Sequence, residues 1–79
     1  MVIHVKLFAT LRHQYPHLDI GEAMPVDLPP GTTVNQLIDH LDLPSEQVKI
    51  VFVNNCVQNG EYVLNAADQV GIFPPVGGG

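Results

Sequence analysis

The residues with the clearest chemical potential stand together at the carboxyl end, Phe73-Pro74-Pro75-Val76-Gly77-Gly78-Gly79. Pro74 and Pro75 have no amide donor and a fixed φ, so sheet pairing should stop at Phe73 and give way to an extended, solvated path. Three residues without side chains then make a slender stalk. Extended, Pro74 to Gly79 would reach roughly 20 Å, long enough to enter a tunnel in another protein. The chemistry such a stalk can deliver is that of its terminal α-carboxylate. With a pKa of about 3.5 the group is ionised at neutral pH and acylates poorly, so it needs activation. Adenylation by ATP turns it into a mixed anhydride, and a sulfide or persulfide sulfur can then displace AMP to leave a terminal thiocarboxylate. In that reading the chain presents Gly79, with Gly78 behind it, and a partner supplies catalysis, as for a group carrier. The alternative is a frayed glycine end or a cloning scar. The position of the glycines, directly after an apolar strand and Pro-Pro-Val in so short a chain, favours the carrier reading.

Other reactive residues carry less. His13 and His17 are four apart, but Pro16 lies between them and further ligands are needed, so no metal site is expected. Cys56 is the single cysteine, which excludes an internal disulfide. With no histidine beside it, it reads as a small packed apolar residue. No carboxylate pair, nucleophile with base, or phosphate loop occurs at workable spacing, so an autonomous enzyme is not expected and no bound cofactor is implied. The net charge is −5, with Lys6, Arg12 and Lys49 the only lysines and arginines. Three separated cations cannot build a basic patch, which argues against nucleic acid or an anionic membrane as partner. No signal peptide and no apolar run of membrane-spanning length is evident, so a cytoplasmic protein is expected.

The elements that must position the tail follow from patterning. At 79 residues, 46% apolar and 14% charged, the chain reads as one small packed domain over residues 1–73, with residues 74–79 as an extended tail. Val2 to Phe8 alternates as a strand, Ile3, Val5 and Leu7 on one face and His4, Lys6 and Phe8 on the other. Ala9 to Met24 reads mostly as loop, with a turn or short helix at Leu11-Arg12-His13. Pro25 to Pro29 gives a second strand, and Pro29-Pro30-Gly31 a turn. Thr33 and Gln36 form a capping box ahead of Val34, Leu37, Ile38 and Leu41, whose spacing predicts a helix ending near Leu41 to Leu43, before Pro44. Gln47 to Val53 reads as a buried strand, Asn54-Asn55 as a positive-φ turn, and Cys56-Val57 as the start of a return strand. After a turn at Asn65 to Asp68, the closing strand turns Val70 and Ile72 inward and Gly71 and Phe73 outward.

One helix covering one face of a mixed four- to five-stranded sheet is the economical α+β solution, the ubiquitin-like β-grasp. Its first and last strands lie parallel at the centre, which would bring Phe8 and Phe73 together beside Pro74, Pro75, Val76 and Gly77 as a docking patch at the root of the tail.

The opening Val5-Lys6-Leu7-Phe8-Ala9-Thr10-Leu11-Arg12, the Gly31-Thr32-Thr33-Val34 helix start with Leu37 and Leu41, the Val53-Asn54 turn and the Phe73-to-Gly79 ending resemble the MoaD/ThiS family of sulfur carriers over essentially the whole chain. Pro-Pro-Val before the glycines is more similar to the MoaD branch, the small subunit of molybdopterin synthase, than to the thiamine-pathway branch. The resemblance implies adenylation and thiocarboxylation of Gly79 by a ubiquitin-activating-type (MoeB-like) enzyme using ATP. It further implies insertion of the tail into a large MoaE-like subunit, where sulfur passes to a pyranopterin precursor of the molybdenum cofactor. Gly77 departs mildly from the family, where Ala, Ser or Thr is frequent. Asn55 and Ala67 stand at turn positions where glycine is usual, and the Arg12 to Pro25 stretch is long. Open alternatives are a carrier for another pathway such as thiamine or tungsten cofactor, a modifier forming isopeptide bonds through Gly79, and a non-covalent binding module.

Overall fold

The computed structural model describes residues 1–75. Its strands are β1 (Val2–Leu7), β2 (Met24–Asp27), β3 (Ile50–Val53), β4 (Cys56–Gln58) and β5 (Gln69–Phe73), with one α-helix, α1 (Val34–His40), among the described residues. They form a single sheet in the order β2-β1-β5-β3-β4. β1 and β5 are parallel, with Val5 opposite Val70 and Leu7 opposite Ile72, and the other pairings are antiparallel. This is the expected β-grasp order, with the first and last strands at its centre.

Alternation along each strand places the core. Ile3, Val5, Leu7, Val51, Val53, Val70 and Ile72 point to one face, where they are buried with Val34, Leu37, Ile38 and Leu41 of the helix and its C-cap. Burying a side chain of this size contributes about 1.5–3 kcal/mol. The helix starts where the capping box predicts. Gln36 N donates to Thr33 Oγ1 at 3.2 Å, and Thr33 N donates to Gln36 Oε1 at 2.9 Å. Carbonyls of the 59–64 segment satisfy the next amides: Val34 N donates to Tyr62 O and Asn35 N to Gly60 O. Thr33→Ala removes one acceptor and is expected to cost about 1 kcal/mol, read as a fall in Tm of roughly 5 °C by thermal unfolding.

Several local expectations need correction. The short helix expected at Leu11-Arg12-His13 is present but longer, a six-residue 3-10 helix over Ala9–Gln14 with Leu11 buried beneath it. Leu28 leaves the second strand, which spans Met24–Asp27 and ends before the Pro29-Pro30 turn. The 47–53 run is not buried on both faces. Ser45–Gln47 is a short 3-10 turn, and in β3 Val51 and Val53 are buried while Ile50 is 39% exposed. Cys56 is exposed, not packed, because it sits on the edge strand β4. The turns do carry positive φ without glycine: Asn54 at 51°, Asn55 at 70° and Ala67 at 68°. Asn54 is braced there, its Nδ2 donating to Asp68 Oδ1 at 2.9 Å and its Oδ1 accepting from Gln69 N at 2.9 Å.

Candidate functional site

The face of the sheet away from α1 is built from the other half of the alternation. Lys6 on β1, Gly71 on β5, Phe52 on β3 and Val57 on β4 lie in one cross-strand row. Ile50 and Phe73 form the next row toward the tail. Phe8 continues β1 in extended conformation at φ −113°, ψ 149°, and its amide donates to Ile72 O at 3.1 Å, which keeps its side chain beside β5. On the other side of β5, Lys49 N donates to Phe73 O at 2.8 Å. The backbone of Phe73 is thus fastened to the last position that can pair, and Pro74, lacking an N–H, ends the ladder.

Between these strands the aromatic rings assemble. Phe8 and Phe73 stack with centroids 4.1 Å apart and planes 5° from parallel, and Phe52 meets Phe73 edge-on at 5.4 Å and 74°. Gly71 supplies the floor. A β-carbon there would lie 3.3 Å from Phe8 Cε2 and 3.6 Å from Phe73 Cε1, so the missing side chain is what lets the rings lie against the strand. The result is an open depression of about 600 Å³, lined by these rings and Gly71 with Lys6, Asn54, Asn55 and Gln69 among its border. Val57, 63% exposed, extends the apolar surface to the sheet edge.

Phe8 and Phe73 are therefore brought together, as the sequence predicts, with Pro74 half-buried and Pro75 exposed directly after them. Val76, Gly77, Gly78 and Gly79 lie outside the described residues. Phe52 and Gly71 complete the site beyond the residues that the sequence singles out. The signal for Gly71 was a glycine inside a strand pattern, a mark of close approach. For Phe52 it was the alternation of Ile50 and Phe52 against Val51 and Val53. His13 and His17 are both exposed, and among the described residues no group of three or more His, Cys, Asp and Glu comes together.

Chemically the surface is suited to docking. Among the described residues, Lys6 is the one titratable side chain lining the depression. Stacked aromatics over a shallow apolar hollow, ringed by polar side chains, are the composition of an interface hot spot.

The model of the ThiS family matches residues 5–79. In structure the chain is similar to SAMP1 from Haloferax volcanii, a small archaeal modifier protein, at 23% identity and a TM-score of 0.75, covering 100% of both chains. It is similar to a chain in the complex of subunits 1 and 2 of the molybdopterin-converting factor from Helicobacter pylori, at 17% identity and a TM-score of 0.62, again covering 100% of both. Urm1 from Trypanosoma brucei matches at 21% identity and a TM-score of 0.65, covering 99% of this chain and 95% of that one. These likenesses are of fold. No curated protein matches the sequence.

Proposed function

The chain belongs to the ThiS family, and from that premise we propose that it is a sulfur carrier whose Gly79 becomes a thiocarboxylate for molybdopterin biosynthesis. The observation that carries the reading is the Phe8–Phe73 stack at the point where pairing of β5 ends and Pro74-Pro75 begin. A docking surface there sets both the position and the direction from which residues 74–79 enter a partner. The activating partner in this reading is a ubiquitin-activating-type, MoeB-like enzyme. A Gly79 carboxylate oxygen attacks the α-phosphorus of ATP and pyrophosphate leaves. Hydrosulfide then adds to the acyl carbon, AMP departs with the electron pair of the broken bond, and the terminal thiocarboxylate remains. The second partner is a large MoaE-like subunit that houses the sulfur transfer; the chain itself contributes presentation, as the small subunit of a molybdopterin synthase working in the cytoplasm. The complex of subunits 1 and 2 of the Helicobacter pylori factor supports a partnership of this kind.

A second reading is a protein modifier in which activated Gly79 acylates a lysine amine, favoured by the similarity to a small archaeal modifier protein. Both use the same adenylate and differ in the nucleophile. Intact mass of the protein after incubation with its cognate activating enzyme, ATP and a sulfur source separates them. The expected result is the mass gain of one oxygen replaced by sulfur, with alkylation of the new thiol localised to Gly79. An unmodified terminus under those conditions overturns the carrier reading, and isopeptide adducts in cell lysate move the assignment to the modifier.

A further inference from the structure

The docking face differs in charge from the rest of the molecule. The chain carries eight Asp and Glu against three Lys and Arg, yet Lys6 lines the depression and none of those eight carboxylates does. Two of the eight belong to the strands and turns that frame this face, and both are engaged. Asp68, just before Gln69 of the border, is 6% exposed; its Oδ1 accepts from Asn54 Nδ2 at 2.9 Å and its Oδ2 from Asn65 N at 2.8 Å. Asp27 is registered opposite Val2, and its Oδ1 pairs with the Met1 ammonium at 3.3 Å. Val2 is four residues of strand, about 13 Å, from Lys6. Met1–Asp27 is the one ion pair among the described residues, so Lys6 has no carboxylate partner among them.

Lys6 stands where a docked partner covers it. It is registered opposite Gly71, and Phe8 follows it two residues later on the same face, about 7 Å away, stacked on Phe73. Gly71 offers no side chain to shield it. A standard interface takes about 800 Å² from each partner, roughly one-sixth of the 4881 Å² surface here, a footprint of more than about 10 Å in radius. Centred on the stack, such a footprint includes Lys6. An ammonium covered without a counter-ion is strongly unfavourable, and the described residues of this chain supply none. The occupant must bring it.

Charge also narrows what the occupant is. A nucleic acid needs several cations, and this depression has one. A second copy docked face to face about a two-fold axis would bring Lys6 toward its own equivalent, between two molecules of net charge −5. A broadly acidic protein would be repelled by the same net charge. What fits is a protein surface that is apolar against Phe8, Phe52 and Phe73 and carries one carboxylate.

We infer that the partner docked on this face, the large subunit of the reading above, places a single Asp or Glu against Lys6 Nζ, and that this pair fixes the orientation in which the tail enters. The inference rests on the reading of the face as that subunit's docking site. The apolar contacts supply affinity. The pair penalises other rotations of the partner on the rings, and other partners that lack a carboxylate at that point.

The test is calorimetric titration of the full chain into the cognate large subunit at low and at high salt. Lys6→Met keeps the apolar stem and removes the charge; it is expected to raise Kd at least about tenfold and to flatten the dependence of Kd on salt. Lys6→Glu should raise Kd at least about 100-fold, while Lys6→Arg should bind nearly as wild type. In the Lys6→Glu background, exchanging each surface Asp and Glu of the large subunit for Lys in turn should restore affinity at one position only. Thermal midpoints should match wild type, because Lys6 is exposed in the free chain. Lys6→Met with wild-type affinity and salt dependence, beside a weakened Phe73→Ala, refutes the charge pair and leaves the docking face standing. A loss of affinity that no exchange on the large subunit restores also refutes the pair. Wild-type affinity in both Lys6→Met and Phe73→Ala refutes the docking face, and the pair with it. Sedimentation of the chain alone should give a monomer; a dimer that Lys6→Met tightens assigns the face to a second copy and overturns the inference.

Discussion

Deleting Gly79, or adding one alanine beyond it, is expected to abolish adenylation and thiocarboxylation while leaving the fold intact. One residue of extended chain moves the terminal carboxylate by about 3.3 Å. A displacement of about 1 Å at a reacting atom can already cost on the order of 100-fold, so a loss of at least about 10³-fold in kcat/KM is expected from either change. Competition shows where the loss arises. Because the Phe8–Phe73 stack is retained, the shortened chain should still bind the activating enzyme and inhibit the wild-type chain, with an inhibition constant near the wild-type KM. Gly78→Leu should behave alike in exchange for a different reason, since the proposed stalk is to pass where even a β-carbon would clash. Retention of adenylation by the shortened chain would overturn the assignment of the terminal carboxylate as the reactive group. The thermal midpoint should not move, because pairing of β5 stops before Pro74 and the core is complete without the last residue.

The legible parts of this protein were those in which one local rule decides. The capping box at Thr33 and Gln36 and the stripe Val34, Leu37, Ile38, Leu41 fix α1 with little help from the rest of the chain. Alternation in β1 and β5, combined with the central parallel pair, carried Phe8 and Phe73 to one place. The parts that escaped depend on the size of neighbouring elements. α1 has seven residues and is about 10 Å long, while five strands span about 19 Å, so the edge strand is left uncovered and Cys56 is exposed although it pairs with buried Val53. Val57 and the exposed side of β3 are open for a different reason: they lie on the face of the sheet away from α1. The 3-10 helix over Ala9–Gln14 has no apolar period to announce it, only Leu11 buried and Ala9 at φ 53°. The loop at 15–23 is held by bonds from Tyr15 to Leu41 and from Arg12 to Leu18, pairings that only the folded chain creates.

Phe73→Ala should weaken binding to the tail-receiving partner by about 100-fold, the loss of roughly 2–3 kcal/mol typical of a central aromatic anchor. It also removes the stack on Phe8 and the edge contact with Phe52, so a stability loss of about 1 kcal/mol is expected alongside. That variant alone cannot separate docking from folding, and Gly71→Val does. Glycine inside a strand is worth roughly 0.5–1 kcal/mol less than alanine, and valine suits extended backbone better still. Gly71 is in β5, paired with Lys6 on one side and Phe52 on the other, so its conformation is one valine adopts freely. Its β-carbon, however, would stand 3.3 Å from Phe8 Cε2, and the added methyl groups must lift that ring from its floor. The gain from valine in the strand and the loss of the displaced ring's contacts are each about 1 kcal/mol and offset, so stability should stay within about 1 kcal/mol of wild type while the partner's Kd rises about tenfold, because a displaced ring no longer matches the surface it docks against. Calorimetric titration with the partner and thermal unfolding of the same two variants give both quantities. Wild-type affinity in Gly71→Val would mean that the partner does not read the arrangement of the rings, and the depression would lose its claim as the docking site. Weakened binding without lost stability would assign to a single glycine the shaping of the surface that aims the tail.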